Sequence, residues 1–210
     1  MRKTLSIVIA TACIALAVLC GFRIAQVNAA YPEQHSRAFS IGEEATYAGQ
    51  DSSGGQVEYG SILVRAEGSS LVDYEGLKAL VPDHIDSFIE DGTFRDMRAL
   101  FVEIEMRNAS SEVKKVYVRD FSPQSGAWTN GLYAPLYMTL NDDPSTIIEL
   151  EPGEKASRTL VYLMYDGQFS GGGWERVSER EFELVLALYP DKYLIELGVP
   201  SAGGREGSTV

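Results

Sequence analysis

The sequence predicts a mainly β protein: an antiparallel β-sandwich with a short helical insertion, preceded by one N-terminal transmembrane helix. Three observations predict it. An uncharged, mostly apolar run from Leu5 to Phe22 follows Arg2 and Lys3 and stops at Arg23. After it, about seven short segments alternate apolar and polar residues with period two, as half-buried strands do. Turn-forming Gly, Pro, Asn and Asp separate these segments, and no long helical pattern interrupts them. A closed barrel fits the same pattern less well.

The apolar run is eighteen residues, close to the shortest helix that crosses a hydrocarbon core. Arg23 can snorkel to the headgroups, which lets Ile24, Ala25 and Val27 lengthen the span. An uncleaved anchor in the bilayer through residues 5–22 is therefore expected. The alternative is secretion after cleavage near Ala29, where Val27-Asn28-Ala29 offers small or modest side chains. Cys20 follows Leu19, a poor neighbour for lipid attachment, so Cys13 and Cys20 read as small apolar residues within the membrane. Basic residues before the span place the N-terminus inside and the body outside.

No acidic residue precedes Glu33, while Arg2, Lys3 and Arg23 do. Of 18 basic residues, 15 remain to face 30 acidic ones, a formal charge of −15 on the body. Such a surface repels nucleic acid, which excludes that partner, and attracts basic ones. The body has no cysteine, hence no disulfide, thiolate metal site or cysteine nucleophile. Its stability has to come from apolar burial, for which about 180 residues suffice.

The elements follow in order. Residues 1–30 are the membrane anchor or signal segment, and 31–55 a stalk and first strand with Phe39, Ile41 and Gly42. The sandwich occupies 56–200. Glu58 to Ala66 sets Ile62 and Val64 against Leu63 and Arg65. Asp73 caps a helical turn bearing Leu77, Leu80 and Val81, stopped by Pro82, and Asp83 a second with Ile85, Phe88 and Ile89. Met97 to Asn108 is the clearest strand. Leu100, Val102, Ile104 and Met106 share one face, and Glu103, Glu105 and Arg107 the wet one. Lys115 to Phe121 alternates again, as does Thr146 to Glu151. Glu151-Pro152-Gly153-Glu154 is a turn, Pro presetting φ and Gly free to take positive φ. Arg158 to Met164, Glu181 to Leu188 and Lys192 to Leu197 complete the series. Phe182, Leu184, Leu186 and Leu188 lie on one face. Residues 201–210 are polar and Gly-rich, and are expected to be a disordered tail.

Chemistry is sparse. His35 and His84 stand apart, with no catalytic triad or metal-binding spacing around them. Gly167 to Gly173 lacks the Lys-Ser/Thr of a phosphate loop and reads as a flexible connection. Asn141, Asp142 and Asp143 lack the spacing of a calcium loop and read as a solvated turn. Asn108-Ala109-Ser110 has the form of a glycosylation acceptor. No catalytic, cofactor-binding or metal-ligating residue is expected. Exposed aromatics are the functional lead: Tyr117, Phe121, Trp128 and Tyr133 around the Gly/Ser/Asn-rich stretch Ser122 to Gly131, with Phe169 and Trp174 framing a second loop. The alternative is that Trp128 and Tyr133 plug the ends of the sandwich.

The anchor, the stalk Phe39-Ser40-Ile41-Gly42-Glu43, the strand Phe101-Val102-Glu103-Ile104-Glu105-Met106-Arg107-Asn108 and the Leu150-Glu151-Pro152-Gly153-Glu154 turn recur together elsewhere. The chain resembles uncharacterised immunoglobulin-like extracytoplasmic proteins of Gram-positive bacteria, over most of its length after residue 38. The resemblance implies an immunoglobulin-like sandwich outside the membrane and carries no catalytic residue. The expected function is a non-enzymatic extracytoplasmic module binding a protein or cell-envelope component. The alternatives are an accessory subunit of a membrane transporter or sensor and, last, an envelope hydrolase.

Overall fold

The computed structural model describes residues 2–30, 35–47, 60–82, 96–188 and 191–203. The chain divides into two units, 1–35 and 36–210. The first unit contains one helix among the described residues, α1 (Arg2–Ala30). Its apolar window, Thr11–Ala29, has 19 residues, mean hydropathy 1.7 and no buried side chain. At 1.5 Å per residue that window is about 28 Å long, the thickness of a hydrocarbon core. The window reaches past Phe22 and includes Arg23. Cys13 and Cys20 are exposed on it.

The second unit is a two-sheet sandwich. Its strands are β1 (Ser36–Ser40), β2 (Ala45–Tyr47), β3 (Ile62–Asp73), β4 (Met97–Asn108), β5 (Lys114–Tyr117), β6 (Ser122–Ser125), β7 (Trp128–Thr129), β8 (Ile147–Leu150), β9 (Lys155–Tyr165), β10 (Phe182–Ala187), β11 (Lys192–Gly198) and β12 (Ser201–Ala202). Among the described residues two short helices, α2 (Tyr74–Leu80) and α3 (Ala134–Leu140), join them. One sheet runs β1-β11-β10-β6-β7 and the other β12-β3-β4-β9, with β2 also paired to β3. β5 and β8 form a separate ribbon.

The long hairpin of β3 and β4 anchors the second sheet, with Ile62 opposite Asn108 and Asp73 opposite Arg98. Leu100, Val102, Ile104 and Met106 of β4 all face the core, as their alternation requires. The other face is only half wet. Met97, Ala99 and Phe101 are buried in a second apolar cluster with Leu77 from α2 and Val81 just after it, Leu136 from α3, and Val161 and Leu163 from β9. Two short helices thus roof one half of the outer face and leave the charged half open.

Several elements differ from their sequence reading. β3 continues past Ala66 to Asp73, over a register shift between Ala66 and Gly68. The Lys115 strand ends at Tyr117, and Val118–Asp120 winds into a 3-10 turn. Leu188 is 63% exposed, because a bulge between Val185 and Ala187 breaks the alternation that would bury it. Ser201 and Ala202 are a strand parallel to Ser70 and Leu71, not the start of a tail. The β6–β7 hairpin lies in the Gly/Ser/Asn-rich stretch Ser122 to Gly131, and α3 follows where the sequence reading assigns no element. The expected Asp83 helix and the first two residues of the Glu58 to Ala66 strand fall outside the described residues.

Edges are covered by chain crossings. The turn Ile41–Glu44 carries the chain from one sheet to the other. Gly42 takes φ 85° and donates its N–H to Ala66 O at 2.9 Å. The outer edge of β9 is closed by side chains and backbone preceding and following α3. Asn141 accepts from Thr159 N–H at 2.8 Å and donates to Thr159 O at 3.0 Å, Tyr133 N–H donates to Val161 O, and Asn130 donates to Leu163 O. An open strand edge invites pairing with another chain, and these bonds remove it.

Candidate functional site

Where the helical roof ends, the outer face of the second sheet opens into a groove of about 440 Å³. Val72, Ala79, Leu80, Phe101 and Leu140 make its walls, and Ser70, Glu103 and Thr159 bring polar atoms to it. A second depression of about 130 Å³ shares Ser70, Phe101 and Glu103 with it and continues past Gly68 and Ser201. The two form one trough along the sheet.

Both walls are fixed by local chemistry. Asp73 caps α2, its Oδ1 accepting from Gly76 N–H at 2.8 Å. Beside this cap the C-terminal strand closes in. Gly203 N–H donates to Leu71 O at 2.9 Å, and a Cβ on Gly203 would stand 2.5 Å from Val72 Cγ2. A Cβ on Gly76 would stand 2.6 Å from Val72 Cγ1, so only glycine permits either approach. On the other side α3 is held by Asn141 and by Tyr137, whose hydroxyl donates to Ser145 O at 2.8 Å.

The charged half of the same face is an ion-pair ladder. Arg107 grips Glu44 through three hydrogen bonds of 2.9–3.1 Å. Glu105 accepts from Lys155 at 2.9 Å and from Arg65 at 3.1 Å, and Arg65 also reaches Glu67 at 2.7 Å. The Arg107 bond holds the Glu44 carboxyl below its ordinary range, and the Lys155 bond does the same for Glu105. The side chain of Glu103, two residues along the strand, has no ion-pair or hydrogen-bonding partner among the described residues.

The six aromatic candidates do not form an exposed surface. Phe121 is fully buried, and Trp128 and Trp174 are each only 7% exposed. Tyr117, Tyr133 and Phe169 are half-buried. Trp128, Phe169 and Trp174 do come together. Trp128 stacks on Phe169 at 5.8 Å and meets Phe182 edge-on at 5.8 Å, and Phe169 lies 5.6 Å from Trp174. Arg98 covers Trp174 and Arg180 covers Phe169. Phe121 packs elsewhere, edge-on to Tyr47 at 5.1 Å. Tyr133 joins the cluster under the helices and Tyr117 lies on β5. Large apolar rings gain most from burial, and the short β7 turns Trp128 inward. The Gly167 region is a 3-10 turn, Asp166–Gln168, whose Gln168 accepts from Trp128 Nε1 at 3.2 Å.

The remaining polar motifs serve the fold. Asn108 is wholly buried, and its amide donates to Glu112 O and Leu150 O, so it is not open to a glycan. Asn141 is bound to Thr159, and Asp143 pairs with Arg158 and accepts from Ser145 N–H. Tyr47 donates to Asp120 at 3.0 Å, and burial pushes its hydroxyl far above the usual range. Among the described residues no three His, Cys, Asp or Glu side chains are grouped to hold a metal. The sequence reading missed the groove because its walls come from five separate segments. The one available signal was Met97, Ala99 and Phe101, apolar residues on the same face of β4 as Glu103, Glu105 and Arg107.

The model of a domain of unknown function, DUF5028, matches residues 36–193. No curated protein matches the chain in sequence. Seven solved chains resemble it, among them the following three. An uncharacterised β-sandwich protein from Clostridium difficile shares 7% identity, covering 79% of this chain and 97% of its own, with a TM-score of 0.42. The yjhA protein from Bacillus subtilis shares 11%, covering 75% and 98%, with a TM-score of 0.42. A putative lipoprotein from Bacillus subtilis, ycdA, shares 11%, covering 75% of this chain and 39% of its own, with a TM-score of 0.38.

Proposed function

Since the chain belongs to the DUF5028 family of domains of unknown function, we propose from its own build that it is a non-enzymatic extracytoplasmic binding module. The apolar helix acts as an uncleaved anchor, and the body stands outside the membrane as an immunoglobulin-like sandwich. The strand orders β3-β4-β9 and β11-β10-β6 support that finer reading, because the chain alternates between sheets as a Greek key does. The single observation that carries the function is the groove on the outer face of the second sheet. It is concave, walled by apolar side chains and flanked by one carboxylate, Glu103. General acid–base catalysis needs a positioned partner group, whereas docking needs shape and a little polarity. The partner is a protein or another component of the cell envelope.

The test is topological first. Protease added to wall-stripped cells carrying the full chain should digest the body and leave the anchor in the membrane fraction. N-terminal sequencing of the intact chain from that fraction should read from the leader. Protection of the body would overturn the reading.

A further inference from the structure

The groove in the body deepens the proposed function, on which this inference rests. We propose that the trough over the second sheet binds an extended peptide presenting a lysine or arginine beside an aliphatic residue, with Glu103 receiving the cation.

Three features carry it. First, shape: the 440 Å³ and 130 Å³ hollows share Ser70, Phe101 and Glu103, so the site is elongated rather than round. An elongated trough fits an extended chain, whose alternate side chains enter successive hollows. Second, charge: along the outward face of β4, Glu105 is held by two cations, while Glu103 is held by none among the described residues. Glu103 thus offers a carboxylate beside apolar walls, where a partner cation is screened less than in open water. The body's formal charge of −15 draws such a ligand in. Third, space: Glu103 faces Gly68 across the β3–β4 pair, and a Cβ on Gly68 would meet nothing within 4 Å. The missing side chain is what opens the smaller hollow.

The test uses the full chain in phosphatidylcholine nanodiscs, whose neutral lipid does not itself attract cations. The probe is a fluorescein-labelled, capped leucine–lysine–leucine peptide, with the norleucine-for-lysine peptide as control, read by anisotropy. Glu103→Gln should weaken binding by about five-fold, the upper range for a single partly exposed ion pair. Gly68→Leu should weaken it at least as much by filling the smaller hollow, and it leaves the carboxylate in place. Glu196→Gln, on the exposed face of β11, should change nothing. Equal losses from Glu103→Gln and Glu196→Gln would mean diffuse attraction to an acidic surface and would overturn the proposal. Equal binding of the norleucine peptide would overturn it as well. So would a ten-fold gain on removing residues 204–210, because Arg205 of the chain itself would then be the occupant. If the probe does not bind while external protease still cuts the body, the trough loses its ligand and the extracytoplasmic reading stands.

Discussion

Asn108 ends β4 with its whole side chain inside the protein, and replacing it should cost more than any exposed polar residue of the sandwich. Its Nδ2 donates to Leu150 O at 2.8 Å and to Glu112 O at 2.7 Å. Its Oδ1 accepts from Ser110 N–H at 2.9 Å and from Ser110 Oγ at 2.8 Å. One amide therefore ties β4, the following turn and β8 together. Asn108→Ala deletes all four bonds. The bond to Leu150 O is fully buried, and an orphaned buried acceptor costs about 1–3 kcal/mol. The other three are part-buried, where water restores some of the loss, adding about 1 kcal/mol. The expected total is about 3 kcal/mol, a large share of a stability of roughly 5–15 kcal/mol. For a domain this size that lowers the melting temperature by roughly 6–12 °C. Denaturant unfolding of the full chain, followed by tryptophan fluorescence, gives the difference at constant slope. Asn108→Asp sharpens the test. Its carboxylate keeps the acceptor role but faces two carbonyl oxygens, which raises its folded pKa above the unfolded one. Protonated, it donates to one of them, so the variant should be most stable below the unfolded carboxyl pKa and lose stability as pH rises. A loss below about 1 kcal/mol in Asn108→Ala, or an Asp variant indifferent to pH, would refute the reasoning.

Three further outcomes are expected. Gly203→Ala should cost about 1–3 kcal/mol by overpacking against Val72, with faster exchange of the position-203 amide that bonds Leu71 O, and adding Val72→Ala should restore much of that exchange protection. Asn141→Ala should free Thr159 on the edge of β9, losing about 2 kcal/mol and raising concentration-dependent aggregation measured by light scattering. The Glu44 and Glu105 carboxyls are lowered below the ordinary value of an unfolded glutamate by Arg107 and Lys155. Their contribution to stability is present above that value and fades as pH falls through the lowered folded values. Acid unfolding curves should flatten in Arg107→Gln and in high salt, and an unchanged curve in both would contradict the ladder.

How much of this was legible depends on which residues carried a local signal. Met97 to Asn108 was readable to the residue, because its core face is apolar at every second position. The Asp73 cap and the Pro152-Gly153 turn were readable too, since each follows from one side chain's own geometry. Glu154 N–H closes that turn onto Glu151 O at 2.9 Å, with Gly153 at φ 81°. α3 was not readable: seven residues give barely two turns, and Leu136 and Tyr137 bury in different clusters, which blurs any periodicity. The aromatic candidates misled for a related reason. Composition around Trp128 reads as loop, but whether its ring points in or out is set by Phe169 and Phe182, distant in sequence. The trough was hidden because a hollow is a property of several strands and two helices at once.

The pairing of β1 with β11 has a consequence for how the protein is made. Ser36–Ser40 leaves the ribosome early, yet its only ladder partner among the described residues is Lys192–Glu196. The first strand must therefore wait, solvated and unmatched, until nearly the whole body has been synthesised. The β3–β4 hairpin, whose two arms lie close in the chain, can assemble long before that. Closure of the sandwich is then a late event, timed by the arrival of the last long strand.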